Sequence, residues 1–485
     1  MVDSIYAIGD KLWLVMLFMA IPIGIYLTVR TRFLQVRLFK DMIRQLKGGH
    51  NDREGGLTPF QALSLTIGNR VGVGNIAGVA TAIGFGGPGA LFWMGVMAFF
   101  GAATAFVEST LAQIYKQRVD GELQGGVPFY LEKVTQKRWI GMIAAVTALI
   151  LYTLLAPGVQ ATNIGVAAEF GLNMPTWATG LIVTGVLGVI IWGGRKRVIK
   201  FVNVAVPIMA VGYLLMTVLV LAFNITEVPA AIVLIFSSAF GANSIYGGIL
   251  GAAIAWGVRR ALFSNVAGVG EGTYAAGAAD VSHPAKQGLV QSFSIYIDTL
   301  GICMATGLML VVTGRYNVVT AGGTEIMTNL PGVAAGPNFT QEAVATVWEP
   351  AAGPFIAIAI GLFALTTIVA FYFIAEANLA YLVGHRNPVL VRVLEVAILA
   401  VTFYSTTQDA ALVWATADIG YGALGILNLT ALIFLSGIAL KTLKDYDQQR
   451  SAGLDPIFNP TKLGIKHANF WEDLNASSKA RHTRN

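Results

Sequence analysis

Charged residues are scarce in this sequence. Asp, Glu, Lys and Arg make up 12% of its 485 residues, whereas soluble domains carry roughly 25%. The single cysteine, Cys303, excludes a disulfide framework or a cysteine-rich metal site. Hydrophobic residues make up 55% of the chain, and its mean hydropathy is +0.67. This composition predicts an all-α membrane protein that crosses the bilayer several times.

Apolar runs of membrane length recur along the chain. A transmembrane helix needs about 20 mainly apolar residues, and on this rule the sequence predicts eleven spans. They cover residues 11–30, 58–83, 88–116, 139–169, 176–194, 198–223, 247–276, 287–313, 352–376, 390–407 and 421–441. The first apolar run, Leu12–Val29, is followed by Arg30 and Arg32 and lacks a small-residue cleavage site. It is therefore interpreted as a true span and not as a cleaved signal.

Basic residues predict the orientation of these spans. Lys and Arg cluster in the loops after spans one, three and five and in the tail, whereas the alternate loops contain few of them. Cytoplasmic loops are enriched in basic residues, so we expect an inner (plasma) membrane protein with its N-terminus outside and its C-terminus in the cytoplasm. The segment Phe33–Lys47 is basic and amphipathic, as is typical of a helix on the inner membrane surface. Membrane lipid is an expected partner, and nucleic acid is not.

The predicted spans divide the chain into four regions. Residues 1–57 comprise the first span and the amphipathic segment. Residues 58–223 and 224–444 contain five spans each, and the second of these regions includes an external loop, 314–351, that is expected to act as a cap. Residues 445–485 are polar and are expected to form a mobile cytoplasmic tail.

A six-residue pattern, N-x-x-G-V-G, occurs twice, as Asn69–Gly74 in span two and as Asn265–Gly270 in span seven. Glycine weakens a helix by roughly 1 kcal/mol relative to alanine, and paired glycines beside an asparagine predict a broken helix at bilayer depth. The alternative is close packing between helices, which explains most glycines in membrane helices. Spans two and seven run in opposite directions and lie five spans apart. This arrangement predicts an inverted repeat of five plus five spans, with a broken helix in each copy.

A break in span two would create an anion site and a cation site side by side. The second half-helix would begin with free N–H groups, and helix N-termini bind carboxylates. These N–H groups belong to Gly72, Val73 and Gly74. The first half-helix would end with free carbonyl oxygens, which suit a hard cation, and Asn75 would add a side-chain oxygen. These carbonyl groups belong to Gly68, Arg70 and Val71. A zwitterionic amino acid together with a sodium ion fits this arrangement.

Four segments resemble the alanine or glycine:cation symporter family. They are Gly68–Ala80, Gly86–Met94, Gly257–Asn265 together with Ala267 and Gly268, and Ile297–Thr299. The resemblance extends from about residue 58 to residue 440. It implies a leucine-transporter-type fold and sodium-coupled, sometimes proton-coupled, uptake of alanine and glycine. The coupling ion would be Na+, and no organic cofactor is expected.

The resemblance also implies roles for individual residues. The substrate-binding set is Gly72, Val73, Gly74, Gln160, Phe263, Ser264, Ala267 and Phe371. The sodium-binding set is Gly68, Val71, Phe363, Thr366, Thr367 and Asn75. For the two threonines the alternative is hydrogen bonding to their own helix, and for Gln160 it is packing between helices. The family often has Trp at position 371 and Glu at position 266, where this chain has Phe and Val.

Several charged residues lie within the predicted spans, where they are energetically costly and usually functional. They are Arg70, Arg259, Arg260, Glu271 and Asp298. Gating pairs, a counter-ion network and purely structural roles all remain open, and the sequence does not show which residues pair. Glu108 and Glu376 are closer to the cytoplasmic ends of their spans and are interpreted as structural.

Other classes of function fit the sequence less well. Gly72, Gly74 and Gly78 have the wrong spacing for a G-x-G-x-x-G nucleotide loop, so an enzyme is not expected. A proton-coupled amino-acid symporter is the main alternative to a sodium-coupled one, and a channel is the second. The oligomeric state is not determined by the sequence.

Overall fold

The computed structural model describes residues 2–47, 55–243, 245–320 and 322–482. Residues 48–54, which belong to the basic loop after span one, lie outside the described residues. Within the described ranges the protein is mainly helical, with two small antiparallel hairpins.

The first ten helices extend from the N-terminus through residue 191. They are α1 Val2–Arg30, α2 Leu34–Arg37, α3 Phe39–Leu46, α4 Pro59–Arg70, α5 Ala77–Gly86, α6 Gly89–Ile114, α7 Val127–Thr135, α8 Arg138–Ile150, α9 Ala156–Leu172 and α10 Thr176–Ile191. The next ten are α11 Gly194–Phe223, α12 Val228–Ala239, α13 Leu250–Asn265, α14 Gly272–Ala278, α15 Pro284–Ile295, α16 Met304–Thr313, α17 Pro337–Val383, α18 Pro388–Ser405, α19 Ala410–Ser451 and α20 Asn469–His482. The hairpins are formed by β1 Gln117–Val119 with β2 Glu122–Gln124, and by β3 Asn317–Val319 with β4 Glu325–Thr328.

Eight helical stretches within the described ranges are long and apolar enough to cross a membrane. They are Ser4–Arg30, Gly89–Ile114, Arg138–Leu172, Gly194–Phe223, Pro284–Thr313, Pro337–Val383, Pro388–Ser405 and Ala410–Ser451. The predicted spans 58–83 and 247–276 each coincide with two shorter helices, and span 176–194 coincides with the 16-residue helix α10. The protein is therefore an integral membrane protein with several helical spans.

The helix that carries the first N-x-x-G-V-G copy stops at the motif. It begins with a capping box, in which the Thr58 hydroxyl accepts from the Gln61 N–H and the Gln61 side chain accepts from the Thr58 N–H. It ends at Arg70, and only a short 3-10 turn, Val73–Asn75, precedes α5. This interruption places backbone polar groups among buried side chains.

The second copy leaves α13 by a different backbone path. Val266 caps the helix with φ 46°, and Gly268 and Gly270 have φ values of 90° and 96°. Glycine adopts positive φ without the steric penalty that a Cβ imposes. Gly72, which corresponds to Gly268, has φ −127°. The first copy therefore does not need a positive φ at this position, whereas the second copy does.

Two π-helical turns lie beside the interrupted helices. One, Leu151–Leu155, joins α8 to α9 immediately before Pro157, whose missing N–H cannot continue the α-helical hydrogen bonding. The other, Tyr296–Cys303, joins α15 to α16 and contains Asp298. Single π turns are frequently found at functional sites.

The polar tail is more ordered than the sequence suggests. Helix α19 continues to Ser451, beyond the predicted boundary at 445. Phe458 and Trp471 are fully buried, and the Trp471 indole N–H donates to the Gln113 carbonyl oxygen at 2.8 Å. Burial of aromatic rings stabilises the fold, so residues up to 471 form part of the folded protein and the expected mobility is wrong for them.

The predicted cap and the amphipathic segment also contain regular structure. The loop 314–351 contains the β3–β4 hairpin and the first turns of α17, which is kinked at Trp348. The segment Phe33–Lys47 forms α2 and α3, and both Leu38 and Met42 are completely buried against the protein. Its apolar face is therefore partly occupied by protein contacts.

Candidate functional site

The backbone between α4 and α5 directs N–H groups at side-chain oxygens. The Gly72 N–H donates to Asn75 Oδ1 at 2.9 Å, and the Val73 N–H donates to Gln160 Oε1 at 3.1 Å. All four residues are buried, with Gln160 3% exposed. These amides can bind an oxygen acceptor such as a carboxylate, and Gln160 currently supplies that acceptor at Val73.

The glycines of the first motif allow neighbouring chains to approach closely. A Cβ at Gly72 would lie 2.6 Å from Thr367 Oγ1 and 2.9 Å from Gln160 Oε1. A Cβ at Gly74 would lie 3.2 Å from a ring carbon of Phe263. The structure thus brings Gly72 to α9 and α17, and Gly74 to the last turn of α13.

Hydroxyl and carbonyl oxygens meet where α4 ends beside α17. Thr367 Oγ1 lies 2.9 Å from the carbonyl oxygens of both Gly68 and Phe363 and can donate its single proton to either. Thr366 Oγ1 donates to the Phe363 carbonyl oxygen at 2.8 Å. Interrupted membrane helices use such carbonyl oxygens to bind sodium or protons. Four of the six predicted ion-binding residues are therefore in mutual contact, and their oxygen donors suit a hard cation.

The two other predicted ion-binding residues are placed differently. Val71 is completely buried, and its N–H continues the α4 hydrogen bonding to Ile67. The Asn75 oxygen accepts from the Gly72 N–H, while its amide nitrogen donates to Asp298 Oδ1 at 2.6 Å. A role for Asn75 as an ion ligand stays a prediction.

Asp298 connects the two N-x-x-G-V-G regions. Besides Asn75, its carboxylate accepts from the Ser264 hydroxyl at 3.0 and 3.1 Å and from the Thr299 hydroxyl at 2.7 Å. The residue is completely buried. A buried carboxylate surrounded by amide and hydroxyl groups can bind a cation or a proton, and it lies beside both interrupted helices.

Polar and charged residues in or next to the motifs have partners in distant helices. The Asn69 amide donates to the Glu271 carboxylate, and the Arg70 guanidinium donates to the Ser294 hydroxyl and to the Gln291 carbonyl oxygen. The Arg70 side chain is therefore directed towards α15.

Glu108 and Glu376, interpreted from the sequence as structural, differ in their contacts. Glu108 Oε2 accepts from the Gly268 N–H at 3.1 Å and from the Asn428 amide at 2.9 Å, so it binds the backbone of the second motif. Glu376 forms an ion pair with Arg386 at 2.6 Å. The sequence did not single out Asn428, although polar residues within membrane spans are a signal for function. The structural interpretation of Glu108 stays a prediction.

Aromatic rings enclose the region between the motifs. Phe263 contacts Trp414 and Tyr421 at ring-centroid distances of 4.5 and 5.1 Å, and Phe371 contacts Tyr152 at 5.4 Å. The sequence does not single out Trp414, Tyr421 or Tyr152, because each lies far along the chain from the motifs.

Ala267 does not join this aromatic group. Its methyl group faces α6, where a Cβ at Gly101 would lie 3.2 Å away, and it packs with Ala98 and Ala102. The structure brings together Gly72, Val73, Gly74, Gln160, Phe263 and Ser264. Phe371 packs on Tyr152, and the Ala267 side chain is directed elsewhere.

Replacing Phe371 by alanine should broaden the range of substrates. The ring is 1% exposed and packs on Tyr152, so its removal opens space between α17 and the π turn Leu151–Leu155. We expect uptake of serine or valine to rise and alanine affinity to fall, because such contacts change discrimination by about 1–3 kcal/mol. Competition by unlabelled amino acids against labelled alanine measures the effect. Phe434→Ala, at a ring 78% exposed, is the control, and an unchanged profile would place Phe371 outside the pocket.

Comparison with known proteins identifies the family. The family model described as the sodium:alanine symporter family matches residues 1–460. The chain belongs to the sodium:alanine symporter family. A sodium/proton-dependent alanine carrier protein from Bacillus sp. (strain PS3) is 46% identical over 435 residues, which cover 89% of this chain and 97% of the relative. The sodium/alanine symporter AgcS from Methanococcus maripaludis is 34% identical, covering 90% and 94% respectively.

The fold is also shared with a solved structure. The crystal structure of MhsT in complex with L-phenylalanine matches with a TM-score of 0.53 and 15% identity, covering 81% of this chain and 99% of MhsT. MhsT has the leucine-transporter-type fold, which confirms the expected fold class at this level. As a member of its family, this chain is a membrane symporter and not an enzyme.

Proposed function

We propose that the protein couples sodium entry to the uptake of a small neutral amino acid, alanine or glycine, by alternating access. The observation that carries the proposal is the contact between Thr367 and the Gly68 carbonyl oxygen at 2.9 Å. It joins the end of α4 to α17 through oxygen atoms, directly beside the Gly72 amide. An ion bound there would lie next to the amides that bind the carboxylate.

The architecture that we propose has eleven spans. Residues 58–223 and 224–444 are two inverted five-span repeats, and α1 is an additional span. The interruptions between α4 and α5 and between α13 and α14 are the corresponding broken helices. The distribution of basic residues supports an N-terminus outside and a C-terminus in the cytoplasm.

The substrate site lies between these interruptions. The amino-acid carboxylate binds the N–H groups of Gly72, Val73 and Gly74, and the Gln160 oxygen moves from Val73 to accept from the substrate ammonium. Phe263 and Phe371 surround a small side chain. The names of the two relatives given above, an alanine carrier and an alanine symporter, support alanine as the substrate.

Sodium and substrate are coupled because both bind at the end of α4. A ligand shifts a conformational equilibrium only by its difference in affinity for the two states. Sodium that joins Gly68 to Thr367 favours the state in which the Gly72 amide faces the substrate. One charge moving through 100 mV supplies about 2.3 kcal/mol, which is roughly fifty-fold accumulation.

Uptake by purified protein in proteoliposomes tests this function. Labelled alanine is offered under an inward sodium gradient, under an inward proton gradient, and with neither. We expect accumulation with sodium alone and counterflow when the vesicles are preloaded with unlabelled alanine. Accumulation driven only by protons would contradict sodium coupling, and flux without counterflow would indicate a channel.

Proton coupling is the second candidate, and Asp298 is the observation that favours it. Its carboxylate is completely buried and binds both Asn75 and Ser264, as a proton site between the motifs would. The two candidates differ in the expected behaviour of Asp298→Asn. With sodium coupling, this variant should retain sodium-driven uptake at a reduced rate, because the Thr366 and Thr367 oxygens remain. With proton coupling, it should lose all gradient-driven accumulation but retain exchange.

A further inference from the structure

Four basic side chains line a pocket where the last turn of α1 meets the end of α19. The pocket has a volume of about 560 Å³. Its basic residues are Arg30, Arg32, Arg37 and Lys444, and Asp447 is its one acidic residue in the described part of the chain. On the proposed topology, both helices leave the bilayer here on the cytoplasmic side. The pocket therefore carries a net positive charge at the depth of the lipid headgroups.

Arg37 is neutralised by the single carboxylate of the pocket. Its Nη1 atom lies 2.8 Å from Asp447 Oδ2, and its Nη2 atom donates to the Thr31 carbonyl oxygen at 3.2 Å. This ion pair joins α2 to α19. Because Asp447 is already paired with Arg37, the pocket has no second carboxylate among the described residues for its three other cations.

Those three cations are available to an anion. The Arg30 guanidinium donates to the neutral Tyr26 hydroxyl at 2.8 Å, which orients it without compensating its charge. Arg32 and Lys444 are exposed, and neither forms an ion pair within the ranges that the structure describes. Guanidinium groups bind phosphate through two parallel N–H···O bonds, and a lysine ammonium adds a point charge. Three such groups around one pocket favour a phosphate ligand.

An uncommon turn holds Arg32 at the pocket. Arg32 and Phe33 have φ values of 56° and 54°, in the left-handed region that residues with a Cβ rarely adopt. The Phe33 N–H donates to the Thr28 carbonyl oxygen at 2.9 Å, and the Gln35 amide donates to the Thr28 hydroxyl at 2.7 Å. Strained backbone of this kind persists where surrounding contacts fix it, and it is common at ligand sites.

Exposed apolar side chains adjoin the basic ones. Val29, Phe33 and Val36 are 56%, 51% and 68% exposed, and each is the chain neighbour of one of the three arginines. The exposed apolar face of α1 continues away from the pocket to Phe18. A free inorganic anion would contact only the basic groups. A phospholipid would contact both, because its phosphate is joined to acyl chains.

We propose that this pocket binds the headgroup of an anionic phospholipid of the inner leaflet, such as phosphatidylglycerol. Arg30, Arg32 and Lys444 contact the phosphate, and the acyl chains lie along the exposed apolar face of α1. The bound lipid joins α1, which lies outside the two proposed repeats, to the end of α19. The inference uses the proposed orientation of the chain and does not depend on the identity of the transported substrate.

Native mass spectrometry of the full-length purified protein with added lipid tests the site. We expect wild type to retain one phosphatidylglycerol per chain and to bind it at least about tenfold more tightly than zwitterionic phosphatidylcholine. Each basic residue near anionic lipid contributes about fivefold. The triple variant Arg30→Gln/Arg32→Gln/Lys444→Gln should therefore lose about a hundredfold in affinity. Equal retention of the two lipids by wild type would overturn the proposal.

The matched control removes three exposed charges from other loops on the same side of the membrane. This variant is Lys137→Gln/Lys196→Gln/Lys200→Gln. It has the same net charge as the pocket variant, so we expect it to bind phosphatidylglycerol like wild type. An equal loss of binding in the two triple variants would show diffuse attraction to the whole surface and would contradict a site at this pocket.

A second measurement keeps the test valid if the triple variant does not fold. A ligand that binds only the native state raises the unfolding temperature. We expect phosphatidylglycerol to stabilise wild type more than phosphatidylcholine does, and the single variant Lys444→Gln to bind phosphatidylglycerol about fivefold more weakly. Inorganic phosphate should not replace the lipid. If inorganic phosphate stabilises wild type as much as phosphatidylglycerol does, the pocket takes a free anion and the lipid site is wrong.

The outcomes separate this proposal from the proposed function, because lipid binding is measured without transport. Wild-type protein that binds phosphatidylglycerol at this pocket but accumulates no alanine with sodium would contradict the function alone. Sodium-driven uptake by a protein that does not distinguish the two lipids would contradict only the lipid site.

Discussion

Gly72→Val is expected to abolish sodium-driven alanine uptake while leaving a folded protein in the membrane. The new Cβ would lie 2.6 Å from Thr367 Oγ1 and 2.9 Å from Gln160 Oε1, closer than normal contact. Overpacking of this kind changes free energies by about 1–3 kcal/mol. Here the displaced atoms belong to both the proposed ion site and the proposed carboxylate site, so both ligands lose affinity together. Uptake in proteoliposomes and size-exclusion elution report function and folding separately.

The matched control is Gly361→Val, because a Cβ at Gly361 in α17 meets no atom within 4 Å. That variant should transport alanine at a rate close to wild type. Gly74→Val should also lose transport, because its Cβ would contact Phe263 at 3.2 Å and Ser264 Cα at 3.4 Å. Normal uptake by Gly72→Val would contradict the placement of the substrate at this interruption.

The other large effect is expected for Thr367→Ala, which removes the hydroxyl between the Gly68 and Phe363 carbonyl oxygens. Loss of this ligand should raise the sodium concentration for half-maximal uptake by about tenfold or more, since couplings between sites are typically worth 1–3 kcal/mol. Thr366→Ala should act in the same direction. The measurement is the initial rate of alanine uptake over a range of sodium concentrations.

The coupling between sodium binding and substrate binding gives a second, independent prediction. If sodium favours substrate binding, the threonine variants should also bind alanine more weakly at fixed sodium. Gln160→Ala should weaken alanine binding even at saturating sodium, because the Gln160 oxygen accepts from the Val73 N–H in the proposed carboxylate site. Thr442→Ala is the control, since this buried hydroxyl donates to the Ile438 carbonyl oxygen of its own helix and has no other partner among the described residues. Wild-type sodium dependence in Thr367→Ala would contradict the ion site.

Features that depend on neighbouring residues could be predicted from the sequence. The glycines and asparagine of N-x-x-G-V-G mark the positions where α4 and α13 end, because glycine weakens helices locally. Apolar length predicted the long membrane helices for the same reason, since each span must cross the bilayer by itself. The burial of Phe458 and Trp471 was not predicted, because the tail is polar overall and only a few aromatic residues pack it against the protein.

Contacts between distant segments could not be predicted in this way. Thr367 bonds to Gly68 across 299 positions, and the resemblance alone suggested that they meet. Nothing near Asp298 in the chain indicates that it binds Asn75 and Ser264. Such pairs depend on which helix faces which, and many arrangements of similar apolar helices bury the same residues.

Arg259 and Arg260 show most clearly which features follow from the sequence and which from the packing of helices. The sequence was sufficient to show two costly charges in an apolar segment, because the expense of burying a charge depends on the residue type and its depth. It could not show that Asp10 and Asp418 pair with Arg259. Nor could it show that Arg260 lies over the Trp414 ring, with Nε and Nη1 atoms that have no hydrogen-bond partner among the described residues. Composition and local conformational preference define the membrane class and the positions where helices end. The packing of helices against each other selects the partners, because electrostatic and hydrogen-bond contacts act only over a few ångströms.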